Sequence, residues 1–323
     1  MADTNREAKI AGLLEETSRT FALCIPQLPQ PTRREVGIAY LLFRIADTFE
    51  DATTWPRNSR LDALDDFCDL LQQPSPEMAE ELSESWLKQP PCKHKGYLNL
   101  LSETPDVVGA FLTLSEGARN VISKHVLRTA RRMASFVARA DASGHVALRD
   151  FEDLRAYCYA VAGIVGEMLT GLFIRDRSEL APVESYLSKR APLFGEGLQL
   201  TNVLKDAAVD EQHGRRFLPE NVDRTRVFEL AREDLNAAAE YTLALQRADA
   251  PNGIVSFNAL PLRLAIATID RVEQDGPGSK LSRTEVFDIV SDVQFALRSG
   301  RPVVDHQASA EPPSHFGSGV PAP

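Results

Sequence analysis

The chain has 323 residues, 43% hydrophobic and 25% charged, which is enough for one large globular unit or two ordinary ones. A net charge of −10 argues against a nucleic-acid binder, which would carry a basic stripe. No apolar leader follows Met1 and no run of about 18 uninterrupted apolar residues occurs, so no membrane-spanning segment is expected, while contact with a membrane surface stays open.

Helical periodicity dominates and strand alternation is absent, which predicts an all-α fold. In chain order, helices are expected over 5–24, 32–52, 58–72, 77–88, 105–141, 150–175, 183–212, 222–249, 258–274 and 282–298. Prolines mark the joints (Pro26, Pro29 and Pro31, Pro56, Pro74 and Pro76, Pro90 and Pro91), and Asp275-Gly276-Pro277-Gly278 breaks the last pair. The long helices suit a bundle rather than a stack of short repeats, and one domain over 1–298 is the economical division. From Gly300 the chain holds five prolines and no apolar period, so 299–323 is expected to be a disordered tail. Cys24, Cys68, Cys92 and Cys158 are scattered without a C-x-x-C pair, which reads as free thiols in a reducing cytoplasm.

Two acidic clusters carry the chemistry. On the helix 32–52, Asp47, Glu50 and Asp51 project together, with Arg44 one turn earlier and a largely apolar stretch before them. On the helix 183–212, Asn202, Asp206 and Asp210 form an i, i+4, i+8 stripe among Val203, Leu204, Ala207, Ala208 and Val209. Like charges at this spacing cost a helix a few tenths of a kcal/mol, and burial raises that cost unless a counter-charge is present. Carboxylates and an amide oxygen are hard ligands, which points to Mg²⁺. Arg19 and Arg44 near the first cluster, and Lys205, Arg215 and Arg216 near the second, would hold the oxygens of a diphosphate beside that ion. Each of these cations taken alone is an ordinary surface partner; the pair of brackets is the specific signal.

Between the clusters lies Tyr157-Cys158-Tyr159-Ala160-Val161-Ala162-Gly163-Ile164-Val165-Gly166. Gly163 and Gly166 each cost a helix about 1 kcal/mol relative to Ala. Close approach of a second helix and close approach of a flat apolar ligand explain them equally well. Tyr157 and Phe21 could line an apolar cavity and present a ring face to a cation.

These blocks together resemble the head-to-head prenyl synthases, the squalene and phytoene synthases, over nearly everything from Ser18 to about Leu297. The resemblance is carried by Ser18-Arg19-Thr20-Phe21, Asp47 to Asp51, Tyr157-Cys158-Tyr159 with Val161-Ala162-Gly163, Asp206 to Asp210, Gly214-Arg215-Arg216-Phe217-Leu218-Pro219, and Phe257-Asn258-Ala259-Leu260-Pro261 leading into Ala265-Ile266-Ala267-Thr268. It implies an isoprenoid synthase fold with a central cavity and a small-molecule isoprenoid diphosphate as substrate. Carried over residue by residue, Asp47, Asp51, Asp206 and Asp210 would ligate Mg²⁺ with Glu50 and Asn202 in support. Arg19, Arg44, Lys205 and Arg215 would hold diphosphate. Phe21, Val161, Gly163 and Val165 would face the isoprenoid chain, and Tyr157 would stand beside the departing diphosphate as an acid or base. Three positions depart from the family pattern: Val209 stands where an acid usually precedes the last aspartate, Lys205 stands where Arg is common, and Arg263 lies in a segment usually more apolar.

The 161–166 and 261–268 stretches look more like the squalene branch of bacterial type, where Lys280 and Arg283 fall at basic positions associated with NADPH. A charged helix start explains these two equally well. No G-x-G-x-x-G follows a strand, so a nicotinamide would bind by a route other than a Rossmann site. The reading is condensation of two farnesyl diphosphates through presqualene diphosphate to squalene, in the cytoplasm or peripheral at the inner membrane face. Presqualene diphosphate, dehydrosqualene or phytoene as product, and a silent isoprenoid-binding protein of the same fold, are the alternatives.

Overall fold

A computed structural model describes residues 2–18, 20–141, 144–212 and 217–304. It contains α1 (Ala2–Thr17), α2 (Phe21–Cys24), α3 (Thr32–Glu50), α4 (Arg57–Gln72), α5 (Pro76–Leu87), α6 (Lys95–Ser102), α7 (Thr104–Leu112), α8 (Glu116–Val137), α9 (Phe151–Cys158), α10 (Ile164–Asp176), α11 (Glu184–Gln212), α12 (Arg224–Arg247), α13 (Asn252–Asp275) and α14 (Arg283–Ser299). No β-strand occurs among the described residues.

Local chemistry sets many of the ends. The Ser75 hydroxyl accepts from the Met78 amide and Pro76 occupies the first turn of α5, where its missing N–H costs nothing. Ser282 and Glu285 close a full capping box at the start of α14, and Gly300 ends that helix in the left-handed region at φ 67°. Fourteen of the 19 residues of α3 are buried, which makes it a central helix. It packs on α8, and α11 packs on α10, α12 and α13. One continuous apolar core runs from Ile10 to Val304.

Several boundaries differ from the sequence expectation for identifiable reasons. The segment 105–141 holds two helices, α7 and α8, because the Ser115 hydroxyl accepts from Ala118 N (3.3 Å) and starts a new one. The short α6 was not expected; its cap is the His94 ring, whose Nδ1 accepts from Tyr97 N (3.3 Å). Helix α13 begins at Asn252 and carries Pro261 inside it. The α9–α10 stretch is continuous, as expected, but passes through a π turn at Tyr159–Gly163 that lodges an extra residue. The tail boundary at 299 falls too early: Val303 and Val304 are buried, and the Gln246 side chain donates to Arg301 O (2.7 Å) and accepts from Val303 N (3.1 Å).

By length and composition two stretches, Phe151–Asp176 and Asn252–Asp275, do reach what a membrane crossing needs, which the count of uninterrupted apolar residues missed. Of their most apolar windows, 50% and 61% is buried inside the bundle, and both stretches wall its cavity.

Candidate active site

Helices α3, α10, α11 and α13, with the Thr20–Ile25 segment, enclose a cavity of about 410 Å³. Its mouth carries Arg44 and Asp47 from α3, Asn202 and Lys205 from α11, and Thr268 from α13. Its floor is apolar and buried, with Ile25, Val36 and Phe257. Val36 and Asp47 are eleven positions apart on α3, so the cavity is roughly 16 Å deep at 1.5 Å per residue. A charged rim over a long apolar shaft is the shape an amphiphile with an anionic head and a hydrocarbon tail requires.

At the first cluster, Arg44 Nη1 lies 3.2 Å from Asp47 Oδ2. Burial is the main force that pushes Asp47 up to about 6; Arg44 opposes it and Asp51 adds to it. The 29% of the Asp47 side chain open at the mouth admits water and tempers that push. Glu50 points inward and is buried. Burial first, then Asp51 and Asp47, raise it to about 8, against Arg60 and a hydrogen bond that Tyr157 Oη donates to Glu50 Oε1 (3.2 Å). The fully buried Arg60 donates Nη1 to Gly144 O (2.6 Å) and Nη2 to Glu50 O, closing the carboxyl-terminal end of α3. Tyr157 is buried between Phe136 (5.2 Å, edge-on) and Phe217 (4.8 Å, stacked). Burial, reinforced by Glu50, Asp51 and Asp47, holds its phenol well above the ordinary range, so it keeps its proton.

At the second cluster, Lys205 Nζ lies 3.2 Å from Asp206 Oδ2 and donates to Asn202 Oδ1 (3.2 Å). The loop after α13 is fastened beside it, Gly278 N donating to Lys205 O (2.7 Å), and the exposed Lys280 and Arg283 follow that contact in the chain without lining the cavity.

The structure thus brings Arg44, Asp47, Asn202 and Lys205 to one rim, and Phe21, Val161 and Val165 to the walls below it. Glu50 and Tyr157 lie behind the rim, and Asp51, Asp206 and Asp210 are on the same two helices. Gly163 does not reach the cavity wall: a Cβ there would come 3.3 Å from Glu196 Oε1 and Pro192 O, so its role is packing on α11. Arg19, Arg215 and Arg216 lie outside the described residues. Sequence reasoning missed Tyr40, whose hydroxyl donates to Thr17 O (2.9 Å) and accepts from Arg44 Nη2 (3.2 Å). Its i−4 spacing from Arg44 was the available signal. Arg60 and Tyr97 come from other helices and left no local signal.

No three His, Cys, Asp or Glu side chains among the described residues are gathered closely enough to form a finished metal site. The donor chemistry nonetheless fits a hard divalent cation. Three carboxylates share the end of α3, two of them pushed above their usual range, and the Asn202 amide of α11 lines the same cavity as Asp47.

Residues 14–224 match the family profile "Squalene/phytoene synthase". The chain is 32% identical over 210 residues to squalene synthase of Schizosaccharomyces pombe and 32% identical over 209 residues to that of Homo sapiens, each match covering 65% of this chain. It spans less than half the length of these relatives, 43% and 45% respectively. Among solved structures, the complex of TcSQS with a ligand superposes with a TM-score of 0.68 at 24% identity, covering 91% of this chain and 89% of the other. A dehydrosqualene synthase with ligand gives 0.54 at 17% identity, over 92% and 98%. These likenesses show the all-α isoprenoid synthase fold, and with the family match they establish that the chain belongs to the squalene/phytoene synthases.

Proposed function

We propose that this protein joins two farnesyl diphosphates head to head, through presqualene diphosphate, to squalene. The observation that supports the reading is a single, largely apolar cavity whose lining holds Arg44 and Asp47 of the first cluster together with Asn202 and Lys205 of the second. Asp47, Asp51, Asp206 and Asp210, supported by Glu50 and Asn202, would hold Mg²⁺, which when bound supplies Lewis-acid neutralisation of the leaving diphosphate. Arg44 and Lys205 would bind and orient the diphosphate oxygens at the rim. The walls of Phe21, Val161 and Val165 and the Phe257 floor would exclude water from an allylic cation and offer it ring faces. Tyr157, which keeps its proton, would serve as a hydrogen-bond donor and proton carrier next to Glu50. Lys280 and Arg283, exposed cations that follow the Gly278 contact to α11, would take the phosphates of NADPH.

Purified protein incubated with farnesyl diphosphate and Mg²⁺, with and without NADPH, tests this by product analysis. Squalene that forms only with NADPH is expected. An equal yield of C30 hydrocarbon without it would defeat the reductive step, and preference for geranylgeranyl diphosphate would point to phytoene. Asp47→Asn and Asp206→Asn are each expected to abolish turnover while the far-ultraviolet circular dichroism stays unchanged.

A further inference from the structure

The guanidinium of Arg44 is held from more sides than its salt bridge to Asp47. It lies 5.6 Å from the ring centroid of Tyr40 and 5.3 Å from that of Tyr97. Tyr40 is one turn away on α3, but Tyr97 arrives from α6, an element with no place in the acidic clusters. Its position is fixed by its own set of contacts. The His94 ring lies tilted against it, the ring centroids 4.0 Å apart. Gly96 lies so close to α1 that a Cβ would come 2.5 Å from Glu16 O, and Asn99 Nδ2 donates to Glu16 Oε2 (2.8 Å).

Of the five guanidinium N–H groups, one donates to the Tyr40 hydroxyl and one faces Asp47, while the buried Nε has no partner. The remaining Nη hydrogens stand at the cavity mouth, where an oxyanion would arrive. If Asp47 turns to a divalent cation, as the reading above requires, Arg44 loses its ionic partner at the moment it must grip the diphosphate. The two ring faces then remain to keep a flexible side chain in place.

We infer that Tyr97 is a positioning residue for the diphosphate site, acting through its ring face on Arg44; this rests on the diphosphate reading of the cavity. A ring held on Arg44 before the ligand arrives spares the cost of ordering that side chain on binding, and its loss weakens the grip without removing any group that touches the ligand.

The test is calorimetric binding of inorganic pyrophosphate in the presence of Mg²⁺ to the full chain and to Tyr97→Phe, Tyr97→Leu and Tyr97→Ala. Tyr97→Phe keeps the ring and is expected to bind as the unaltered protein does. Tyr97→Leu and Tyr97→Ala are expected to bind roughly five- to tenfold more weakly, the worth of a partly desolvated cation–π contact. Their KM for farnesyl diphosphate should rise by a similar factor with kcat changed less. Leu fills much of the ring's volume, so Tyr97→Leu keeps the test open should Tyr97→Ala fail to fold. Equal binding by Tyr97→Leu, or weakening by Tyr97→Phe as large as by Leu, overturns the role of the Tyr97 ring while leaving the diphosphate site standing. Failure of the unaltered protein to bind pyrophosphate overturns the diphosphate reading and this inference with it.

Discussion

Tyr157 has two roles that a single atom separates. Its ring fills space between Phe136 and Phe217, and its hydroxyl donates to Glu50 behind the first acidic cluster. Tyr157→Phe keeps the first role and deletes the second. The packing is unchanged and a buried carboxyl loses one donor, which is expected to cost about 1–2 kcal/mol in denaturant unfolding. If the hydroxyl carries a proton in the reaction, turnover should fall by about 10²–10⁴-fold, the usual worth of general acid–base help. A loss smaller than about tenfold in steady-state assays would leave Tyr157 as a support for Glu50 alone. The two acidic clusters stand out in the sequence, because carboxylates one turn apart in an apolar helix are anomalous without a counter-charge; Phe21 lines the cavity as expected, whereas Tyr157 does not and is packed against Phe136 and Phe217 instead. Arg60 and Tyr97 do not stand out, since nothing near Arg60 or Tyr97 in the chain hints that each bears on α3.

The wall between α10 and α11 shows what decides an element's neighbours. Two glycines, Gly166 on α10 and Gly195 on α11, let the backbones meet: a Cβ on Gly166 would lie 2.0 Å from Ala191 O, and one on Gly195 2.1 Å from Ala162 O. Both residues also line the cavity, and the close approach of a second helix accounts for Gly166. Gly166→Ala would have to push backbone rather than a side-chain tip, and is expected to destabilise by about 2–4 kcal/mol and to narrow the shaft. Gly12→Ala on α1 meets nothing within 4 Å and should instead stabilise by up to about 1 kcal/mol through helix propensity. Thermal melts of the two variants side by side check the contrast; a similar loss for both would mean the α10–α11 contact can relax. Helix existence was readable from periodicity throughout, whereas the α7–α8 division, the α6 cap by His94 and the π turn depend on side-chain hydrogen bonds and packing that periodicity does not encode.

Across the whole molecule, a second concentration of buried charge lies away from the rim, on the seam between α11 and α12. Glu196 and Asp234 are both buried, and Asp234 Oδ2 has no hydrogen-bond partner. Burial raises each to about 7. For Glu196, Arg155 opposes the rise and Glu167 adds to it; for Asp234, Glu196 and Glu233 add to it and Arg155 opposes it. The fold therefore prefers their neutral forms. The unfolded chain releases these protons near pH 4 and the folded chain only near 7, so the pair's share of stability is full below about pH 4, drains away as pH rises to about 7, and is flat above. Asp47 and Glu50 bias the same window in the same direction, so the pair must be read by difference. Glu196→Gln removes one ionisation and leaves a neutral isostere. Its stability relative to the unaltered protein should be lowest near pH 4–5, climb as pH rises to about 7 and level off above, by a gain on the order of 2–3 kcal/mol at most. Melting curves that stay parallel from pH 5 to 8 would show that Arg155 neutralises the pair and that ionisation there costs the fold nothing.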